Sequence, residues 1–299
     1  MAVGIVDRQK LVNIADAVRA KKGITGNMTL DAIASNITSM PTADNNAKFD
    51  FSKSGSKSIG DLVSYLTTVD LSNFDTSNYT NMYQMFYGFT ALKNIDVSGF
   101  NTSKVTDMTN MFNQCSSLIT LDLSSFNTTN VQYMNLMFNE CRSLTSLDLS
   151  NFDTSNVTNM YSMFNLCYSL TTLDLSSFNT SKVTDMSDMF KLCYSLTSLD
   201  LSNLDTSKVT KMSNMFYDCS KLSNLTLGTN WASNLKISSF DLSYCPLTHE
   251  SAVDVINKLA ARSNSPVIKF SNQVGLYQSE IDVATNKGWS VSGCKVLLV

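Results

Sequence analysis

Six aspartates recur at a fixed interval: Asp70, Asp96, Asp122, Asp148, Asp174 and Asp200 stand 26 residues apart, and the column ends at Thr226. Each lies in a Leu-Asp-Leu-Ser or closely similar run. Its alternation points the apolar residues inward and the aspartate outward. Carboxylates lined up at strand spacing repel one another by about 1 kcal/mol even under full water screening. Such a rail attracts cations or basic groups, or hydrogen-bonds a polyol such as a sugar. The alternative is a solvated strand face whose Asp and Ser side chains bond one another and nearby backbone. Calcium fits less well, because it needs six to eight oxygens from a shaped site. Tyr168 and Tyr194 in adjacent copies, with Tyr83, Tyr87, Tyr161 and Tyr217, supply a second candidate surface. Exposed tyrosines stack on sugars or anchor protein contacts. These tyrosines differ between copies, so they are the residues able to carry specificity.

Catalytic chemistry finds little to work with. His249 is the one histidine, and no nucleophile elbow, phosphate loop or metal-ligand cluster is present. A glycosidase needs two carboxylates in contrasting surroundings, whereas a repetitive rail gives every aspartate similar ones. The chain therefore reads as a non-enzyme without cofactor or metal. A net charge of −3 argues against nucleic acid as a partner. No run approaches the ~18 apolar residues of a membrane span. Neither a leader nor an anchor is visible, so the chain is expected to stay in the cytosol that makes it.

The element that positions these residues is the repeat itself. Met-Phe pairs at 85–86, 111–112, 137–138, 163–164, 189–190 and 215–216 keep the same 26-residue step. A constant period in this range signals a solenoid. The expected fold is α/β: a leucine-rich-repeat solenoid of strand-helix units over 59–228. In one unit Leu147 and Leu149 face inward from a strand. Val157, Met160, Met163, Phe164 and Cys167 fall at helical spacing, and Asp153, Thr154 and Ser155 offer caps for that helix. Phe152 plugs the turn between the halves. Cys115, Cys141, Cys167, Cys193 and Cys219 form a column exchanged with Phe89, which marks it as core. A reduced ladder is expected there, although stacked copies come near disulfide range. Twenty-two Asp against three Glu points to turns more than to long helices.

Residues 1–40 read as a separate helical hairpin for docking or oligomerisation. Leu11, Ile14 and Val18 lie on one helix face, and Ile33 and Ile37 on the other helix. Two short helices bury too little surface to stand alone. Residues 41–58 read as a linker. Residues 229–299 read as an α/β C-terminal cap, with an irregular strand at Phe240 and Leu242 and a helix starting at Thr248 or Ser251. A strand at 267–271, a helix at 279–286 and closing strands around Val291 and 295–299 complete it.

The runs Leu147–Cys167 and Leu173–Cys193 resemble the BspA-like leucine-rich repeats of bacterial surface proteins, and the resemblance covers 66–228. It implies a binding or adhesion surface with no catalytic residues. Ile14–Lys21 with Gly23 and Met28–Ala32 resembles a short module of phage structural proteins. Leu247–Ser251, Val255–Leu259 and Ala284–Trp289 are similar to the ends of phage and prophage repeat proteins. Together these imply a bacteriophage virion protein. It would contact other virion proteins through its N-terminal helices, with a host surface protein or glycan as the partner of the repeats. A bacterial cell-surface adhesin, a capsid decoration subunit without a receptor, and a homo-oligomer are the alternatives.

Overall fold

The computed structural model describes residues 67–72, 75–234 and 239–298. The N-terminal hairpin expected over 1–40, with Leu11, Ile14, Val18, Ile33 and Ile37, and the linker at 41–58 lie outside the described residues.

From Met82 to Leu222 the chain winds in stacked coils of one repeat each, and their backbone corrects the strand-helix expectation. The Val-Thr-x-Met-x-x-Met-Phe half is not helical. It is a run of consecutive turns closed by i to i−3 hydrogen bonds, such as Met163 N to Met160 O, Asn165 N to Ser162 O and Cys167 N to Phe164 O. The intervening donors leave the coil. Met160, Ser162, Phe164 and Leu166 donate to the carbonyls of Asp185, Ser187, Met189 and Lys191, 25 residues on. Donors thus alternate between their own turn and the next coil, which no α-helix does. Two residues per coil hold the alternation with left-handed φ, Ser162 (53°) and Leu166 (62°) in this copy, with equivalents at Asp188 and Leu192 in the next. The sequence is misleading because apolar residues at 157, 160, 163, 167 and 170 step by about three. Three-residue turns produce that step as readily as a helix face does. Asp153, Thr154 and Ser155 accordingly cap no helix.

Parallel bridges Asn81–Asp107–Tyr133–Asn159–Asp185–Lys211 run unbroken through this turn half. On the Leu-Asp-Leu-Ser side, strand pairing is present only near the two ends. There β1 (Thr68–Asp70) pairs with β2 (Asn94–Asp96), and β3 (Ser198–Leu201) with β4 (Asn224–Leu227). The continuous hydrogen-bonded spine therefore lies where the sequence implied helices.

Between the spine and the leucine side lies a dry core. Val157, Met160, Met163, Phe164, Cys167 and Leu170 are wholly buried, as are their counterparts in neighbouring coils. Fully burying each large apolar side chain contributes roughly 1.5–3 kcal/mol. Phe86, Phe112, Phe138, Phe164, Phe190 and Phe216 stack with ring centroids 5.3–6.0 Å apart. The cysteines stay reduced. Each thiol donates to the carbonyl of a phenylalanine 29 residues earlier at 3.1–3.4 Å, and Cys245 adds a sixth rung to the five expected. Burial pushes the Cys115, Cys141, Cys167 and Cys193 thiols well above their ordinary range.

A buried threonine ladder locks coil to coil. Thr154 Oγ1 donates to Asn179 O at 2.9 Å and accepts from Asn179 N at 2.8 Å. Thr76, Thr102 and Thr128 repeat both bonds, and Thr180 repeats the donation.

After Leu227 the pattern changes. β5 (Ser239–Leu242), β6 (Val267–Phe270) and β8 (Ser290–Ser292) form a parallel sheet, and β7 (Gly275–Tyr277) pairs with β9 (Lys295–Leu297). Helix α1 (His249–Lys258) is capped by Thr248 and packs on β4; α2 (Gln278–Asn286) packs on α1. Trp231 and Trp289 are buried in this unit, and Trp289 Nε1 donates to Ala260 O at 2.8 Å. Gly288 sits at φ +80° where a Cβ would strike Arg262 O, which explains glycine at the turn from α2 to β8.

Two predictions follow from the buried ladders. Thr154→Val strands a buried donor and a buried acceptor, so unfolding free energy is expected to fall by about 2–4 kcal/mol; Thr154→Ser, which keeps both bonds, stays near wild type in urea titration. In thiol titration of the native chain, half-buried Cys294 reacts first and the six ladder thiols only on unfolding. Fast labelling of the ladder would contradict its packing.

Candidate interaction surfaces

The aspartate rail is a row of turn caps. Asp96, Asp122, Asp148, Asp174 and Asp200 are exposed, and Oδ1 of each accepts the backbone N–H two residues on, at Ser98, Ser124, Ser150, Ser176 and Ser202, at 2.9 Å. Asp70 belongs to β1, paired with Asp96. Two further columns do the same work: Asp75, Asn101, Asn127, Asp153, Asn179 and Asp205 in one, Asn81, Asp107, Asn159 and Asp185 in the other. Aspartate and asparagine reach their own backbone two residues on. Glutamate is one methylene too long, which accounts for the Asp-to-Glu imbalance. The same Asp-x-Ser turn recurs at Asp241, 3.0 Å from Ser243 N. The sequence reading missed it, although Phe240-Asp241-Leu242-Ser243 carries the motif.

These bonds decide the electrostatics. The Ser124 N–H holds the Asp122 carboxyl below its ordinary range, and Ser150 and Ser176 do the same for Asp148 and Asp174. The charge of Asp148 pushes Asp122 and Asp174 the other way and is the smallest influence on each. At Asp122 and Asp174 local hydrogen bonding therefore outweighs repulsion from the next carboxylate. Ser146, Asp148, Thr172, Asp174, Ser198 and Asp200 line a shallow groove floored by Leu147 and Leu173. Among the described residues no cluster of His, Cys, Asp or Glu has a metal-binding arrangement. No described helix is long and apolar enough to cross a membrane.

The tyrosines divide into two groups. Tyr83 and Tyr161 are exposed on the turn half, where Tyr133 joins them. Tyr168 and Tyr194 are half-buried, contrary to the exposure expected of them, because their rings stack on each other at 4.9 Å. Arg142 lies over the far side of Tyr168 in the same column, 5.4 Å from its centroid, and pairs with Glu140 at 2.6 Å. One column over, Lys191 sits 5.9 Å above Tyr217, and Tyr217 meets Tyr244 at 4.7 Å. Partial desolvation, with the Asp218 carboxylate beside it, raises the Tyr194 phenol; the interaction with Tyr217, toward which the Tyr244 hydroxyl donates, raises that of Tyr244. Tyr244 is 47% exposed. The sequence gave a faint signal for it: a tyrosine immediately before Cys245, in the ladder register.

Residues 57–167 and 143–241 each match the family described as "Mycoplasma protein of unknown function, DUF285". Together the matches span more than half of the chain. The chain belongs to the DUF285 family. Arg142, Tyr168, Lys191, Tyr194 and Tyr217 lie within these matches, and Tyr244 lies just beyond them. Among solved structures, a leucine-rich repeat protein from Bacteroides ovatus is similar at 15% identity and a TM-score of 0.39, covering 78% of this chain. This chain spans 61% of that protein's length. No curated protein matches.

In the C-terminal unit, His249 Nδ1 lies 2.8 Å from Gly275 O and its Nε2 3.1 Å from Glu280, while Glu280 also accepts from Tyr277 N at 2.8 Å. The one histidine of the sequence thus ties the start of α1 to the start of α2.

The caps predict an acid response. The folded carboxyls of Asp122, Asp148 and Asp174 titrate below their unfolded values, so the unfolded chain binds more protons in between. Their contribution is present above the unfolded range, near pH 4, and is lost as pH falls through the lower folded values. Asparagine makes the same turn at positions 101, 127 and 179. Replacing all three rail residues by Asn is therefore expected to leave the urea midpoint at pH 7 unchanged or higher. It should also flatten its decline between about pH 4 and pH 2; a large loss at pH 7 would show that the charge itself is needed.

Proposed function

We propose that the chain is a non-enzymatic component of a bacteriophage or prophage particle, whose repeat stack displays a binding surface to the host. The observation that carries the display reading is internal to the repeats. Their core, threonine and Asx columns stay nearly uniform, yet two adjacent columns at one corner depart from Ser and Asn over consecutive coils. After the first five ladder cysteines stand Ser116, Arg142, Tyr168, Tyr194 and Ser220. After each Met-Phe pair stand Tyr87, Asn113, Asn139, Asn165, Lys191 and Tyr217. The same backbone accommodates Ser or Asn there, so stacking alone does not require the aromatic and cationic groups. Tyrosine and arginine are the residue types that concentrate binding energy on protein surfaces. The rail aspartates have closely similar surroundings, whereas acid–base pairs work through contrast, which supports a non-enzymatic role.

The particle assignment rests on the resemblance of the two chain ends to phage structural proteins, with residues 1–40 as the docking segment. Mass spectrometry of particles purified after induction of the strain that carries the gene is expected to find the chain, and deletion of 1–40 to remove it. Absence of the full chain from particles would refute the assignment. Binding of the purified full chain to cells of that strain tests display separately.

A further inference from the structure

We infer that the corner formed by Arg142, Tyr168, Tyr194, Lys191, Tyr217 and Tyr244 binds an uncharged, extended polysaccharide lying along the stack axis. This inference rests on the display reading above and names the class of ligand.

Three observations select that class. First, both cations of the corner are already held by carboxylates: Arg142 by Glu140 at 2.6 Å, Lys191 by Asp188 at 3.4 Å. With the Asp218 carboxylate also beside Tyr194, the corner has no positive field to draw a polyanion. Second, the rings follow one another along the stack. Tyr168 and Tyr194, one repeat apart in one column, lie 4.9 Å apart, close to the advance of one pyranose in an extended chain, and Tyr217 and Tyr244, from different columns, add a second pair at 4.7 Å. Successive sugars therefore meet successive phenol edges. Third, the rings are held before any ligand arrives. Tyr168 is clamped between Arg142 and Tyr194, and Tyr217 between Lys191 and Tyr244. Immobilised side chains lose little entropy on binding. With most ring faces occupied, contact falls to hydroxyls and ring edges, which suit hydroxyl-rich ligands. Tyr244, at the end of its row, keeps enough exposure to stack on a sugar ring.

Affinity electrophoresis of the full chain provides the test, using gels that contain a neutral β-1,4-glucan, a β-1,3-glucan, a xylan or a galactomannan, with heparin and polygalacturonate as charged probes. Retardation by at least one neutral polymer is expected, and by neither charged one. The Tyr194→Ser/Tyr217→Asn double variant introduces residues that the repeat already uses at equivalent positions. Its thermal midpoint should therefore hold while Kd rises about tenfold or more, equivalent to ~1.4 kcal/mol. Lys104→Asn, outside the corner and with the residue that the repeat already uses at 130 and 156, should change Kd less than twofold. No retardation by any neutral polymer, retardation by charged polymers alone, or equal retention of the double variant would overturn the inference.

Binding to host cells separates this failure from that of display. Loss after mild periodate treatment of the cells, with survival after protease, supports a glycan. The reverse pattern identifies a protein partner and overturns the glycan while leaving display intact. No cell binding at all removes display itself.

Discussion

Buried peptide groups must find partners, and in this chain that requirement is met by dividing the donors between two destinations. Every second N–H of the Met-x-x-Met-Phe segment bonds within its own turn, and the others bond to the coil that follows. The division fixes the coil shape, demands left-handed φ twice per repeat and forbids a helix. It also explains why one repeat means nothing alone. A single coil would leave half of its donors and its whole methionine, phenylalanine and cysteine face without partners.

The polar residues obey the same accounting at shorter range. Three columns of Asp or Asn per repeat close turns on their own backbone, and the threonine column bridges to the neighbouring coil. The abundance of aspartate is therefore first a matter of chain folding. A row of carboxylates that looks like a cation site is a row of acceptors already in use, and at Asp122 and Asp174 the serine N–H outweighs the charge of the next carboxylate. The C-terminal unit extends the accounting with different parts. A thiol from Cys245 still reaches Phe216, while helices and a parallel sheet take over from bare coils.

Because the repeats share one backbone, each position is tested many times within a single molecule. Uniform columns are those that stacking constrains. The corner at Arg142, Tyr168, Tyr194, Lys191, Tyr217 and Tyr244 is where the constraint is loosest and the chemistry richest. Its rings and cations lie over one another across coils, so the departure from Ser and Asn is spatially one patch although it is spread over a hundred residues of chain.

The sequence by itself determined the period, the inward columns and the order of elements in the C-terminal unit except β7 (Gly275–Tyr277), which its reading passed over. Those follow from side-chain size, polarity and capping chemistry at fixed spacing. Leu147, Leu149, Val157, Met160 and Phe164 were legible as core for that reason, and Thr248 as a helix cap. Only the tertiary structure decided the rest. A step of about three residues fits a helix and a train of turns equally, and the choice is made by whether the spare N–H groups meet a neighbouring coil. The same holds for the candidate surfaces. Asp122 and Asp148 read from the sequence either as outward charges or as groups bonded to nearby Ser and backbone, and it is the folded turn that brings each onto the Ser124 or Ser150 N–H. Tyr168 and Tyr194, 26 residues apart in the chain, become one stacked pair only when their coils lie side by side.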